Sequence, residues 1–235
     1  ALAAEVGDEK VPRSLTCHYL RVPDVGPAAI AVTVERSGRA VSTLSARMTQ
    51  DGEPCVLAIA AFGVALDSAL DYADLPHPGV APPNGAPAQV HPKAPPIAAR
   101  FDGWPVVGPA LFSEATDATT GGWIRTNPPT PADAFAIAQY TDAWLPAPWT
   151  RLPRPAMAPT IDLTIHFRRA LPYAGADPLA PVLLQVSSTT SAEGYFEEDA
   201  AIWAPDGTLL AQSRQLALLR PLRDASQPPP GRRWK

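Results

Sequence analysis

Apolar and polar residues alternate along much of the chain, and the alternation is clearest over residues 161–167. The odd-numbered positions are apolar, whereas the even-numbered positions are Asp162, Thr164 and His166. A period of two residues is typical of a β-strand that packs one face on a core. We therefore expect a strand here, with Asp162 on its polar face, where a preceding helix, a sheet and a cleft meet.

The same period predicts further strands on both sides of this one. They cover residues 14–19, 29–35, 40–49, 54–62, 121–125, 182–189, 195–203 and 208–219. Ser37-Gly38 and Asp51-Gly52 separate neighbouring segments near the start of the chain, and such dipeptides form tight hairpin turns. The early strands are therefore expected to form an antiparallel meander.

Helical patterns are fewer. Residues 1–6, which Gly7 follows, are typical of the last turns of an alanine-rich helix, so we expect the chain to begin inside an element, with residues upstream missing. A second helix is predicted to open at Thr130 as N-cap, with Pro131 at the first helical position, and to end near Trp144 before two prolines. Residues 67–72 have weaker helical character.

Prolines divide the chain. The sequence contains 30 of them, many between residues 76 and 96, where a helix interior or a central strand is excluded. We interpret residues 75–97 as an extended linker between a first unit at residues 1–74 and a second at residues 98–222, with a tail at residues 223–235.

The two predicted units repeat one order of elements. Residues 14–19 resemble residues 162–167, and Asp51-Gly52 matches Asp206-Gly207. The chain is therefore interpreted as a tandem duplication of a helix with an antiparallel sheet. In this alignment three polar residues of the second copy correspond to less polar or apolar residues of the first. This difference suggests that each duplicated pair has one functional site. The matched positions are Asp162 with Ser14, Thr189 with Val34, and Gln215 with Ala60.

Charge and composition exclude several classes of function. A net charge of −4 and a pI near 5.5 leave no broad basic face for nucleic acid, so the basic residues at the chain end are interpreted as a solvated tail. No apolar run reaches the roughly 20 residues that span a bilayer, and the start lacks the features of a signal peptide. A soluble, cytoplasmic protein is expected, with Cys17 and Cys55 as reduced thiols rather than a disulfide or a nucleophile.

Several short motifs, in this order, are similar to those of the acyl-CoA thioesterase II family. They are residues 16–21 (TCHYLR), 163–168 (LTIHFR), 188–191 (STTS) and 209–215 (LLAQSRQ). The resemblance covers nearly the whole chain except the linker. It implies an α+β double hotdog, in which two long helices are each wrapped by a curved antiparallel sheet. It also implies an acyl-CoA substrate, no cofactor, and a possible homodimer.

The resemblance implies that Asp162, Thr189 and Gln215 are the catalytic residues. Thioester hydrolysis needs a water that is oriented and partly deprotonated beside the carbonyl carbon. A carboxylate with a hydroxyl and an amide can do this without a metal, and the four histidines lack zinc-site spacing. Each residue also has an ordinary structural interpretation: a strand-edge carboxylate, a solvent-facing hydroxyl and a core amide bonded to backbone. His166 is interpreted as a structural histidine.

Two other functions remain open from the sequence. One is a hotdog hydratase or dehydratase, although the Gly-Asp-x-Asn-Pro context of such enzymes is absent here. The other is a catalytically silent acyl-CoA-binding protein that has kept the fold. A serine hydrolase is not indicated, because the sequence has no Gly-x-Ser-x-Gly motif. The preferred acyl-chain length is not predicted by strand patterns.

Overall fold

A computed structural model describes residues 1–92 and 94–222, in which one long antiparallel sheet carries an α-helix on one face. The strands are β1 (Val11–Tyr19), β2 (Ala29–Ser37), β3 (Val41–Gln50), β4 (Glu53–Gly63), β5 (Phe101–Val107), β6 (Thr119–Thr126), β7 (Ala156–Met157), β8 (Thr160–Phe167), β9 (Val182–Ser187), β10 (Ser191–Ala192), β11 (Tyr195–Trp203), β12 (Leu209–Leu218) and β13 (Arg220–Pro221). The predicted tail at residues 223–235 lies outside the described residues.

The main sheet joins strands from both predicted units. Its order is β2-β3-β4-β1-β8-β12-β11-β9-β6-β5, with β10 paired to β11, while β7 and β13 form a separate two-stranded sheet. The two units meet where β1 pairs with β8. At the centre of this pair Thr16 lies opposite Thr164, and their hydroxyl oxygens are 3.0 Å apart. The predicted strands are confirmed, and β2, β3 and β4 form the expected meander, whereas β1 pairs with β4 and not with β2.

The helical predictions were less accurate. Residues 1–6 contain only a short 3-10 helix, Leu2–Glu5, and residues 67–72 contain no helix. In the described residues of the first unit there is no α-helix, whereas the expected architecture has one long helix in each unit. The second predicted helix exists as α1 (Ala134–Ala143) and ends where predicted, with Trp144 as C-cap.

The start of α1 was predicted three residues too early. Asp133, not Thr130, is the N-cap, and its Oδ1 accepts hydrogen bonds from the backbone N–H groups of Phe135 and Ala136, each at 2.9 Å. The hydroxyl of Thr130 instead lies 2.8 Å from that of Thr126. The carboxylate satisfies two otherwise unpaired helix donors, and an aspartate suits the positive end of the helix dipole.

Replacing Asp133 with alanine should therefore lower the free energy of unfolding by about 1 kcal/mol, because two N–H groups lose their acceptor. Urea unfolding monitored by circular dichroism measures this change. The matched substitution Thr130→Ala should cost less, because that hydroxyl caps no helical N–H group. Equal losses for the two variants would contradict the assignment of Asp133 as the cap.

The α-helix defines two faces of the sheet. We call the face that contacts α1 the inner face, and Leu163 and Ile165 of β8 lie on it with Ile137 and Tyr140 of the helix. The opposite, outer face carries Thr164. Because side chains alternate along a strand and paired residues share a face, the pairing register assigns every strand residue to one of the two faces.

The predicted linker covers part of the outer face. His77 packs edge-on against Trp203, with ring centroids 5.6 Å apart, and Val80 packs against a buried outer-face cluster that includes Trp123 and Leu183. These contacts bury apolar surface on a face that would otherwise be exposed to water. In residues 1–92 and 94–222 no helix combines the length and hydropathy needed to cross a membrane.

Candidate functional site

Asp162 lies on the outer face. Its register partners are His18 on β1 and Leu216 on β12, and both of these side chains are exposed. Asp162 itself is half-buried, and its carboxylate accepts no hydrogen bond from any residue that the structure describes. The predicted strand is therefore correct, but the expected position where helix, sheet and cleft meet is wrong for Asp162, because α1 packs on the other face.

Thr189 follows the end of β9 and is exposed. Its hydroxyl donates to Oε1 of Glu197 at 2.7 Å, and the backbone N–H groups of Thr189 and Thr190 donate to the same oxygen at 2.5 and 2.8 Å. Glu197 pairs with Leu216 and so lies on the outer face. The hydroxyl of Thr189 is thus used to hold a loop against β11.

Gln215 lies on the inner face and is 7% exposed. Its partners across the sheet are Leu163 on β8 and Glu198 on β11. Asp162 pairs instead with Leu216, the next residue of β12, and consecutive strand residues point to opposite faces. The structure therefore does not bring Asp162, Thr189 and Gln215 together.

A chain of polar side chains, buried at Gln215 and Glu198, lies around Gln215 at the C-terminal end of α1. The hydroxyl of Thr160 lies 2.9 Å from Oε1 of Gln215 and 3.4 Å from Oδ1 of Asp142. Nε2 of Gln215 donates to Oε1 of Glu198 at 2.7 Å, and the backbone N–H of Ala147 donates to Oε2 of Glu198 at 2.6 Å. We call Asp142, Thr160, Gln215 and Glu198 the polar chain.

The hydrogen bonds of the polar chain run in one direction. An ionised carboxylate only accepts, so Glu198 must face the amide nitrogen of Gln215, and the amide oxygen faces Thr160. Thr160 has one hydroxyl hydrogen, and Gln215 is the nearer acceptor. Asp142 is exposed as a residue, although its carboxylate is partly desolvated, and this carboxylate is then left with capacity to accept a proton from an external donor such as water.

Both carboxylates of the polar chain have raised pKa values. Burial raises the pKa of Glu198 to about 7, although hydrogen bonds from Ala147 and Gln215 oppose the rise, and the charges of Asp142 and Glu197 add to it. The pKa of Asp142 is raised by burial of its carboxylate, against a hydrogen bond from Thr160. A carboxylate with a raised pKa is a stronger base, which suits proton transfer near neutral pH.

Asp142 and Glu198 were not identified from the sequence, although each breaks a local pattern. Asp142 lies in the last turn of α1, where the helix dipole disfavours a negative charge. Glu198 is 4% exposed and lies between Phe196 and Ala200 on a strand face that is otherwise buried and apolar. An isolated carboxylate on a core face is the signal that could have marked this site.

The two cysteines and His166, which the sequence analysis also considered, lie outside the polar chain. Cys17 and Cys55 are free thiols in the structure, Cys17 half-buried and Cys55 buried, and His166 is exposed on the outer face. Apart from these residues, the indole N–H of Trp104 on β5 donates to the Gly85 carbonyl at 2.9 Å, and this bond attaches the linker to the sheet. Within the described ranges, no group of histidine, cysteine or acidic residues could hold a metal ion.

Two apolar cavities lie on the inner face, one on each side of α1. The larger has a volume of about 710 Å³ and includes Phe101, Gly103 and Trp144 in its wall, with linker residues such as Ala88 and Val90 as its roof. The smaller, about 290 Å³, lies between the first-unit strands and residues near the start of α1. This larger cavity is also lined by Ala143, Trp144 and Leu145, which directly follow Asp142 in the sequence.

Comparisons with known proteins point to one family. A model of the acyl-CoA thioesterase C-terminal domain matches residues 73–219, and a model of the acyl-CoA thioesterase N-terminal domain matches residues 1–63. No curated protein sequence matches the chain.

Several solved structures are similar. A protein of unknown function with a hotdog fold from Alicyclobacillus acidocaldarius is 30% identical, with a TM-score of 0.82 over 94% of this chain and 84% of the other. A putative thioesterase II from Thermobifida fusca is 25% identical, with a TM-score of 0.75 over 93% and 81%. An acyl-CoA thioesterase II from Mycobacterium marinum, at 19% identity and a TM-score of 0.72 over 94% and 84%, shares the fold. The long antiparallel sheet with a helix on one face is therefore of the hotdog type.

Proposed function

Because the chain belongs to the acyl-CoA thioesterase family and is a thioester hydrolase, we propose that it converts fatty acyl-CoA to free fatty acid and CoA at the polar chain. The observation that carries this proposal is the position of Gln215. The family resemblance implies a catalytic role for this residue, and its amide lies 7% exposed between the hydroxyl of Thr160 and the carboxylate of Glu198.

In the proposed reaction Asp142 accepts a proton from a water molecule. The water oxygen attacks the thioester carbonyl carbon, and the carbonyl π electrons move to oxygen to form a tetrahedral intermediate. Collapse of this intermediate breaks the C–S bond, and the proton held by Asp142 passes to the departing sulfur. Fatty acid and CoA thiol are released, and Asp142 returns to its ionised form.

The trio implied by the resemblance is the competing assignment. It makes Asp162 the proton acceptor and Thr189 an orienting hydroxyl. We favour Asp142, because it is the carboxylate within hydrogen-bonding reach of the Thr160 hydroxyl that also contacts Gln215, whereas Asp162 lies on the outer face. The two assignments share Gln215 and differ in the carboxylate, so matched aspartate substitutions separate them.

We also propose that the fold is a tandem double hotdog. In the sequence alignment of the two copies Thr16 corresponds to Thr164, and in the structure these residues lie opposite each other in the β1–β8 pair. A two-fold relation between the copies would produce this arrangement. The unit boundaries, a homodimer of chains and a cytoplasmic location remain predictions.

The larger cavity is proposed to hold the acyl chain. Its volume lies within the range of ligand pockets, its wall is mostly apolar, and it lies beside the residues that follow Asp142. The hydrophobic effect favours transfer of each methylene group of a fatty acyl chain from water into such a cavity. The proline-rich linker would then cover this cavity. A hydrogen bond from the Ala88 N–H to the Gly103 carbonyl, at 2.8 Å, holds the linker against β5.

Gly103→Val should shift chain-length preference toward short acyl groups. A side chain added at Gly103 would extend toward the ring of Trp144, with the first carbon 3.7 Å from it, and would fill part of the cavity. We expect kcat/KM for long-chain relative to short-chain acyl-CoA to fall by about tenfold or more. Gly85→Val is the matched control, because its side chain would enter open space in the linker and should leave the profile unchanged. If Gly103→Val keeps the chain-length preference of the wild type, the acyl chain does not bind in this cavity.

The proposed function itself is tested by release of free thiol from acyl-CoA of several chain lengths, measured with a thiol reagent. We expect turnover by the wild-type protein. Binding of acyl-CoA without release of thiol at any chain length would instead identify a silent acyl-CoA-binding protein.

A further inference from the structure

We propose that Glu198 is a positioning residue that holds the side-chain amide of Gln215 in a single orientation. The inference rests on the proposed function, because Gln215 is the group through which Glu198 would act. It adds a residue that the family resemblance does not imply.

Glu198 is held by donors from two other elements. Oε1 accepts from Gln215 on β12, and Oε2 accepts from the backbone N–H of Ala147 in the segment that follows α1. Its side chain is therefore fixed at both oxygens, and with 4% exposure it has little contact with solvent. A carboxylate fixed in this way can act as a rigid acceptor for the neighbouring amide.

The orientation of the Gln215 amide decides how the rest of the polar chain is bonded. The two ends of an amide are similar in shape, but one donates hydrogen bonds and the other accepts them. The charge of Glu198 selects the orientation with Nε2 toward β11, so that Oε1 accepts the hydroxyl hydrogen of Thr160. If the amide were reversed, Thr160 would lose its nearer acceptor and would direct its hydrogen to Asp142, the proposed base.

The location of Glu198 is unfavourable for a purely structural residue. Its inner-face neighbours on β11 are Phe196 and Ala200, both buried, and a carboxylate that is buried beside apolar side chains without a cationic partner loses hydration free energy that two hydrogen bonds replace only in part. Two acidic groups act on it, Asp142 from α1 and Glu197 from its own strand, and with burial they raise its pKa to about 7. The ionised form that orients Gln215 therefore becomes dominant only as the pH rises through this value.

The test is Glu198→Gln in the full chain. We expect kcat to fall by about 10- to 100-fold, the scale of one misplaced hydrogen bond to a charged group, with KM changed by less than about twofold. We expect kcat of the wild type to rise through pH 7, where Glu198 ionises, and we expect this rise to be absent in Glu198→Gln. Asp199→Asn is the matched control, since this neighbouring carboxylate lies on the outer face and pairs with Arg214.

Thermal stability of the Glu198→Gln variant distinguishes a positioning role of Glu198 from a purely structural one. Because the folded-state pKa of Glu198 is above its ordinary value, ionisation destabilises the folded protein progressively as the pH rises from about 4.5 to about 7. Glu198→Gln should therefore have a Tm at pH 8 no lower than that of the wild type, despite its lower kcat. A lower Tm with a parallel loss of active protein would overturn the proposal, as would wild-type kcat with the pH dependence retained.

A second measurement uses the wild-type protein and does not depend on a variant that folds. The side-chain NH₂ signals of Gln215 in a ¹⁵N–¹H NMR spectrum should shift with pH, with a midpoint near the pKa of Glu198. Signals that stay constant from pH 5 to pH 9 would contradict the proposal. Thiol release by the wild type is measured separately, so failure of this inference is distinguished from failure of the proposed function.

Discussion

Asp142→Asn should lower kcat/KM for acyl-CoA hydrolysis by about 100-fold or more, the usual contribution of a general base. Asparagine keeps the shape of the side chain but has no basic carboxylate, so the attacking water keeps its proton. The Thr160 hydroxyl still has Gln215 as its nearer acceptor, at 2.9 Å against 3.4 Å for Asp142, so the polar chain should stay in place. Thiol release at saturating and limiting acyl-CoA measures the change.

Asp162→Asn is the matched comparison for this experiment. Both substitutions exchange one carboxylate for an amide, but Asp162 lies on the outer face opposite His18 and Leu216. We expect the Asp162 variant to keep kcat/KM within about threefold of the wild type, as is usual for a polar change away from the reacting atoms. A large loss of kcat/KM in Asp162→Asn, with little effect of Asp142→Asn, would show that Asp162 is the catalytic carboxylate, as the family resemblance implies.

Gln215→Leu should reduce kcat/KM by about 100-fold, because this amide connects the two ends of the polar chain. Leucine has a similar volume but leaves Glu198 with one donor fewer and Thr160 without its nearer acceptor. The buried Oε1 of Glu198, which loses its donor, should also lower the free energy of unfolding by about 1–3 kcal/mol. Thiol release and urea unfolding of the same variant measure the two effects.

Gln212→Leu is the control for the loss of a glutamine from β12. Gln212 lies on the outer face, where its Oε1 accepts from Nε of Arg168 at 2.8 Å. Its replacement should leave thiol release almost unchanged. Equal losses in the two variants would indicate damage to the strand and not to the polar chain.

The strands could be predicted because their signal is local. Residues 161–167 alternate strictly, and the observed strand β8 (Thr160–Phe167) extends the prediction by one residue. The cap of α1 is also a local feature, yet the sequence pattern predicts Thr130 as the cap and the structure has Asp133. The Thr130-Pro131 pair is typical of a helix start, but the Thr130 hydroxyl contacts Thr126, and Asp133 accepts the hydrogen bonds of the first helical N–H groups.

The candidate site could be predicted only in part. Gln215 was identified by resemblance and lies in the polar chain, whereas Asp162 was interpreted as facing a cleft because its face is polar. Alternation separates the two faces of a strand but does not reveal which face a helix will cover. Asp142 and Glu198 are 56 positions apart by their residue numbers, and no local pattern relates a residue on a helix to a residue on a distant strand.

By itself, the sequence determined the antiparallel strands, the position and end of α1, the proline-rich connection and the family. These depend on the spacing of apolar residues, on proline and glycine chemistry, and on short motifs, all of which act between near neighbours. Only the tertiary structure decided that β1 and β8 join both halves in one sheet, that the linker roofs a cavity, and that Gln215 contacts Glu198 and Thr160 and not Asp162. The physical reason is that hydrogen bonds and burial between distant segments depend on the pairing register and on the face that α1 covers, which a single segment does not encode.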